Sequence, residues 1–86
     1  MKIVETGDFK KSLKKLPSEI EDLYKKQTAI FQYNWLDPRL HTKRIRELPG
    51  SYSLRITRRY RVLFYFKDSG TAIFFEIGHR KDVYRE

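Results

Sequence analysis

The sequence has no cysteine. Thiolate catalysis, thiol redox chemistry and a cysteine-based zinc site are therefore excluded, and a reducing cytoplasm is the natural setting for such a chain. Glycine is scarce, with four in 86 residues, and none is arranged as a phosphate-cradling loop. Histidine is limited to His41 and His79, too few for a metal cage, with no carboxylate cluster near them. No serine sits in a nucleophile elbow. No apolar run approaches a membrane span or a signal-peptide core, so a soluble, cytoplasmic protein is expected. Acids are in the minority, 11 against 19 Lys plus Arg, for a net charge of +8. The inventory that remains is arginine, lysine, tyrosine and two histidines, and it calls for no metal and no cofactor.

The excess charge is concentrated. Arg39, Lys43, Arg44, Arg46, Arg55, Arg58, Arg59 and Arg61 are opposed only by Glu47, so this window holds +7 of the chain's +8. A basic block of this kind is an electrostatic footprint for phosphate, and arginine, which outnumbers lysine here, suits bidentate phosphate contacts. These residues are candidate RNA contacts. With 40% hydrophobic and 15% aromatic residues, the chain has enough apolar material for one small core, and residues 1–86 are expected to form one domain.

The elements follow from periodicity. Lys2-Ile3-Val4-Glu5 reads as a short strand, and Thr6-Gly7-Asp8 as a turn with a helix cap. Phe9, Leu13 and Leu16 fall at helical spacing. Pro17 and the acids Glu19, Glu21 and Asp22 open a second helix. Its apolar face carries Ile20, Leu23, Tyr24, Gln27, Ile30 and Phe31, and it is expected to end near Asn34. A basic, irregular stretch follows, anchored by Leu40, Ile45 and Leu48. Three strands come next, alternating through Tyr52–Ile56, Tyr60–Phe66 and Ala72–Ile77, with Lys67-Asp68-Ser69-Gly70 as a hairpin turn. The expected fold is α+β, in the order βααβββ, with two helices on one face of a twisted, mainly antiparallel four-stranded sheet.

Register decides which side chains share a face. The apolar pattern requires a three-residue turn, Thr57 to Arg59, which pairs Arg55 with Arg61 and Leu54 with Val62. Pairing Phe66 with Thr71 then sets Val62 against Phe75 and Arg61 against Glu76. Leu54, Ile56, Val62, Phe64, Ile73 and Phe75 would face the helices, and Arg55, Arg61 and Glu76 the other side. Two arginines so opposed repel each other unless an anion or Glu76 lies between them.

The apolar strand ending at Ile77 runs straight into Gly78-His79-Arg80-Lys81-Asp82-Val83-Tyr84-Arg85. This cluster of imidazole, guanidinium, ammonium, carboxylate and phenol groups points to a site rather than a tail. The inventory suits cleavage of an RNA phosphodiester, because the neighbouring 2′-OH can attack phosphorus and the protein need supply no nucleophile. It must align the ribose, move two protons and stabilise the dianionic phosphorane. Arg55 and Arg61 suit charge stabilisation, and Arg80 the leaving 5′-oxygen or the phosphate. His79 carries the imidazole, the side-chain type best suited to exchange a proton near neutral pH, and is a candidate base or acid. Tyr84 is placed to stack on a base or orient the phosphate. Lys81 joins the RNA contacts, and His41 is read as a backbone or surface residue.

The order βααβββ, the segment Leu48-Pro49-Gly50-Ser51-Tyr52-Ser53-Leu54-Arg55-Ile56, the strand Arg59-Tyr60-Arg61-Val62-Leu63-Phe64 and the closing Ile77–Arg85 segment resemble the RelE/ParE superfamily, small toxins of type II toxin–antitoxin systems. The RelE-like branch, which the chain resembles more, cuts mRNA in the ribosomal A site and leaves a 2′,3′-cyclic phosphate and a 5′-OH. The ParE-like branch poisons DNA gyrase. Carried over by position, the RelE strand arginine falls on Arg61, the post-strand arginine on Arg80 and the terminal tyrosine on Tyr84. The two RelE catalytic lysines fall on Ser53 and Arg55. Serine carries no charge and arginine is a poor base, so the resemblance leaves the base open among His79, Lys43 and Lys81. It also implies that RelE's long C-terminal helix has no counterpart here. An acidic antitoxin is the implied partner, covering the basic site and forming a toxin–antitoxin hetero-oligomer, with Leu63, Tyr65 and Phe74 on the sheet's second face as further contacts or as packing under the basic loop. The ribosome and mRNA are the implied targets. A gyrase inhibitor and a catalytically weakened RNA- or ribosome-binding relative are the alternatives.

Overall fold

The computed structural model describes residues 1–83, and Tyr84, Arg85 and Glu86 lie outside the described residues. Strand β1 (Lys2–Glu5) leads into helix α1 (Gly7–Lys14), whose N-terminus is capped by Thr6, its hydroxyl accepting from the Phe9 amide at 3.1 Å. Pro17 stands just ahead of helix α2 (Ser18–Tyr33), and Asn34 closes that helix by donating its amide to Ile30 O. A 3₁₀ turn (Pro38–Leu40) follows, then strands β2 (Lys43–Arg44), β3 (Ser51–Arg55), β4 (Tyr60–Asp68) and β5 (Thr71–His79), and a short helix α3 (Arg80–Val83).

The sheet has the order β1-β5-β4-β3-β2, with β1 parallel to β5 and the other neighbours antiparallel. It therefore has five strands rather than four. Strand β2 has only two residues, both exposed and charged, so it carries no apolar alternation to read. It is defined by its pairing, Lys43 with Ser53 and Arg44 with Tyr52.

Between β3 and β4 the alternation is realised as expected, with Leu54 opposite Val62 and Arg55 opposite Arg61. Between β4 and β5 it is not. Leu63 pairs with Glu76 but Phe64 pairs with Phe74, so Phe75 is the extra residue of a bulge, and a second irregularity falls at Lys67. A bulge breaks the two-residue period and moves every later side chain relative to its partner. Val62 consequently faces Ile77, Arg61 faces Gly78 and Phe66 faces Ala72. Ala72, Phe74 and Ile77, not Ile73 and Phe75, join Leu54, Ile56, Val62 and Phe64 beneath the helices.

That main core is aromatic. Phe31 from α2 is fully buried, with its ring edge-on to Phe64 at 5.1 Å and to Phe74 at 5.2 Å between centroids. Phe9 from α1 packs on Phe74 and on Tyr24, whose hydroxyl donates to Glu5 at 2.6 Å. Leu23, expected on the buried face of α2, stays at the surface.

A second, smaller core lies on the other side of the sheet, where Ile45, Leu63 and Val83 are buried together with Phe75 against them. Ile45 pins the basic loop there, and Val83 pins α3. Leu63 is thus packed under the loop, Phe74 is buried beneath the helices, and only Tyr65 of the three proposed contact residues is exposed. Leu48, expected as an anchor, is exposed as well.

Candidate functional site

The site grows out of the connection between β3 and β4. The Thr57 hydroxyl accepts from the amides of Arg59 and Tyr60 at 3.2 and 3.3 Å, and the Ile56 amide donates to Tyr60 O at 2.9 Å. These bonds close the hairpin in the register that sets Arg55 against Arg61, on the face away from α1 and α2. In the next row across that face stand Lys43, Ser53, Leu63 and Glu76 on successive strands.

The basic loop arches over these strands and encloses a cleft of about 270 Å³. Arg55, Arg61 and the buried Ser53 line it from β3 and β4, Lys43 and Arg44 from the edge strand β2, and Arg46 from the loop. Glu47 and His41 complete the wall. His41 takes a left-handed backbone (φ 49°) where it ends the 3₁₀ turn, and its amide donates to Pro38 O.

Electrostatically the cleft is unbalanced. Like charges directly opposed across strands are unfavourable. The Arg61 guanidinium is tied to the hairpin, one Nη donating to Thr57 O at 2.7 Å and Arg58 O at 2.8 Å. The Arg55 Nε is buried and has no hydrogen-bond partner among the described residues. An unsatisfied buried donor costs about 1–3 kcal/mol. A bound oxyanion would relieve both conditions.

The other expected residues are distributed around this cleft rather than gathered in it. Arg58 and Arg59 are exposed on the hairpin connection. Arg80 begins α3, its amide donating to Arg59 O at 2.6 Å, which brings α3 to the hairpin. Lys81 is exposed beside it. Arg39 is bound to Asp37 through both Nε and Nη, each at 3.0 Å. Those bonds, with the Arg39 amide, hold the Asp37 carboxyl down at about 2.

His79 lies in a different hollow of about 330 Å³, between β5 and the end of α1, with Ser12, Lys15, Glu76 and Asp82. Its ring stands edge-on to Tyr60, its cross-strand partner, at 5.6 Å, and its Nδ1 accepts from the Lys81 amide at 3.1 Å. Tyr84, expected to stack or orient, lies outside the described residues. His41 and Glu47 are cleft residues that sequence reasoning did not assign, since nothing in a loop's spacing shows which way it folds back. Among the described residues no three His, Cys, Asp or Glu side chains are grouped to hold a metal, and no helix is long and apolar enough to cross a membrane.

Comparison with known proteins gives the cleft a context. Residues 3–84 match the family model described as ParE toxin of type II toxin-antitoxin system, parDE. No curated protein matches the chain in sequence. Among solved structures, it is similar to a chain of the RelB–RelE antitoxin–toxin complex from Methanococcus jannaschii, with 28% identity, 94% of each chain covered and a TM-score of 0.77. It is also similar to a chain of the toxin–antitoxin complex RelBE2 from Mycobacterium tuberculosis, with 28% identity over 92% of this chain and 96% of that one and a TM-score of 0.65. YafQ from E. coli shares the fold at a TM-score of 0.79 with 13% identity, over 95% of this chain and 96% of its own.

Proposed function

The chain belongs to the ParE toxin family of type II toxin–antitoxin systems, and from that premise we propose that it is a ribosome-dependent, metal-independent mRNA endonuclease that inhibits translation. The observation that carries this reading is the cross-strand pair Arg55–Arg61 in a cleft walled by Lys43, Arg44 and Arg46. Two guanidiniums fixed on rigid strands offer a preorganised cradle for a phosphate that gains charge in its transition state.

In the proposed reaction the ribose 2′-oxygen attacks the adjacent phosphorus and loses its proton to a base. The bond to the 5′-oxygen breaks, and that oxygen takes up a proton. The products are a 2′,3′-cyclic phosphate and a 5′-OH. Arg55 and Arg61 stabilise the phosphorane, and Arg80 serves the leaving oxygen from the start of α3. Tyr84 orients the scissile nucleotide. For the base, Lys43 has the merit of lining the same cleft. His79 accepts from the Lys81 amide at Nδ1, so its neutral ring carries the proton on Nε2 and presents a hydrogen-bond donor rather than a base from the neighbouring hollow. Arg58, Arg59, Arg46, Arg44 and Lys81 extend the basic surface along which the RNA and the ribosome would lie, while the charge of Arg39 is taken up by Asp37. An acidic antitoxin is the partner this charge invites, and RelE toxins of the similar complexes are held by RelB.

The test is primer extension on a defined mRNA in a reconstituted translation system, with and without ribosomes. Cuts at A-site codons that need the ribosome and leave a 5′-OH are expected. Intact mRNA under active translation would overturn the reading. The second reading, inhibition of DNA gyrase, is favoured by the ParE description of the matching family and by Ser53 and Arg55 standing where RelE has lysines. A supercoiling assay run beside the primer extension decides between them.

A further inference from the structure

Gln27 lies on the core-facing side of α2, between Tyr24 and Phe31, and is 8% exposed. The other buried positions of that helix, Tyr24 and Phe31, are aromatic. An amide in such surroundings loses its hydration, and the loss is offset only by hydrogen bonds inside the protein. Gln27 makes them with its Nε2, which donates to Arg55 O at 2.8 Å and to Arg39 O at 3.2 Å.

The two carbonyls belong to segments far apart in the chain. Arg39 lies in the 3₁₀ turn that feeds the basic loop, and Arg55 is the last residue of β3, with its side chain in the cleft. A leucine would fill the same space on the helix, but it could not hold two main-chain segments in a fixed relation. Arg55 is also the residue that most needs holding. It faces a like charge across the ladder, and its Nε is buried without a partner among the described residues.

We infer that Gln27 is a positioning residue for the cleft, its side-chain amide fixing Arg55 against the start of the basic loop. It touches no substrate and acts through Arg55. The inference rests on the reading of the cleft as an RNA phosphate site. A misplacement of about 1 Å in such a site costs about a hundredfold in rate.

The test uses the full chain with Gln27→Leu, and with Gln27→Met should the first variant not fold. The Nε–Hε resonance of Arg55, identified by its loss in Arg55→Lys, is followed by NMR with and without inorganic phosphate, and ribosome-dependent cleavage is measured in parallel. In the native protein the Gln27 side-chain amide protons are expected to exchange slowly. In the variant the Arg55 resonance is expected to shift and its proton to exchange faster, with kcat lowered about 10- to 100-fold and KM little changed. A variant with lowered Tm but an unmoved Arg55 resonance and unchanged kcat would make Gln27 only a part of the core and overturn the inference. Rapid exchange of the native Gln27 amide would do the same. Should the native protein leave mRNA intact, the nuclease reading falls, and the Arg55 resonance still decides whether Gln27 positions it.

Discussion

Arg55 and Arg61 stand directly opposite one another on β3 and β4, on the face of the sheet away from α1 and α2. Such a pair is a built-in demand for an anion. Inorganic phosphate at about ten times its Kd should add about 1.4 kcal/mol, a Tm rise on the order of 5–10 °C for a domain of this size. Arg55→Gln should remove most of that response while leaving the phosphate-free Tm equal or slightly higher, because the repulsion is gone. An undiminished phosphate response in the variant would show that the anion binds elsewhere.

Arg61→Ala and Arg80→Ala should each lower ribosome-dependent cleavage by roughly 100-fold or more, the usual cost of losing one preorganised donor to a developing charge. Growth arrest on expression should vanish with it, while far-UV circular dichroism and antitoxin binding stay native. Arrest that survives both substitutions would contradict a nuclease.

Tyr24 gives the fold an alkaline limit. Burial, and then the hydrogen bond to Glu5 and its charge, raise the Tyr24 phenol above the ordinary tyrosine value. A phenol that stays protonated in the fold after the unfolded chain has ionised contributes stability that is complete below about pH 10 and is lost as pH rises further. Thermal unfolding of the native protein should therefore fall more steeply above pH 10 than that of Tyr24→Phe. Parallel curves for the two would show that Tyr24 titrates normally.

Phe31 is the side chain on which α2 meets the two long strands β4 and β5. Phe31→Ala should cost about 3–5 kcal/mol, as large aromatic truncations in closed cores do. Urea denaturation would measure it as a lower midpoint with an unchanged slope, and a loss under about 1 kcal/mol would mean that the core collapses to fill the space.

Much of this architecture is legible in the order of residues, because it follows from local rules. Thr6 caps α1, the helical spacing of Tyr24, Gln27 and Phe31 marks the buried side of α2, and the alternation through Leu54, Val62 and Phe64 sets Arg55 against Arg61. Period-two reasoning fails at Phe75, where a bulge invisible to composition puts Phe74 beneath the helices and Leu63 opposite Glu76. It has no purchase on Lys43–Arg44, a strand only by virtue of its neighbour. The cleft is half legible on the same grounds. The cations could be counted, but that the loop folds back over β3, and that Arg39 is taken up by Asp37, depends on contacts between segments. Gln27 stood in the apolar stripe from the outset. Its two carbonyl partners exist only once the sheet and the 3₁₀ turn have come together.

The parallel pairing of β1 with β5 has a kinetic consequence. The first strand of the chain finds its neighbour in the last long one, with Lys2 set against Thr71. The hairpins β3–β4 and β4–β5 close over short loops, whereas β1 must bear the entropy of the longest closure in the molecule. During synthesis β1 therefore has no strand to pair with until β5 has emerged, and the aromatic core lacks Phe74 until then, so the sheet and the core are completed in one late step.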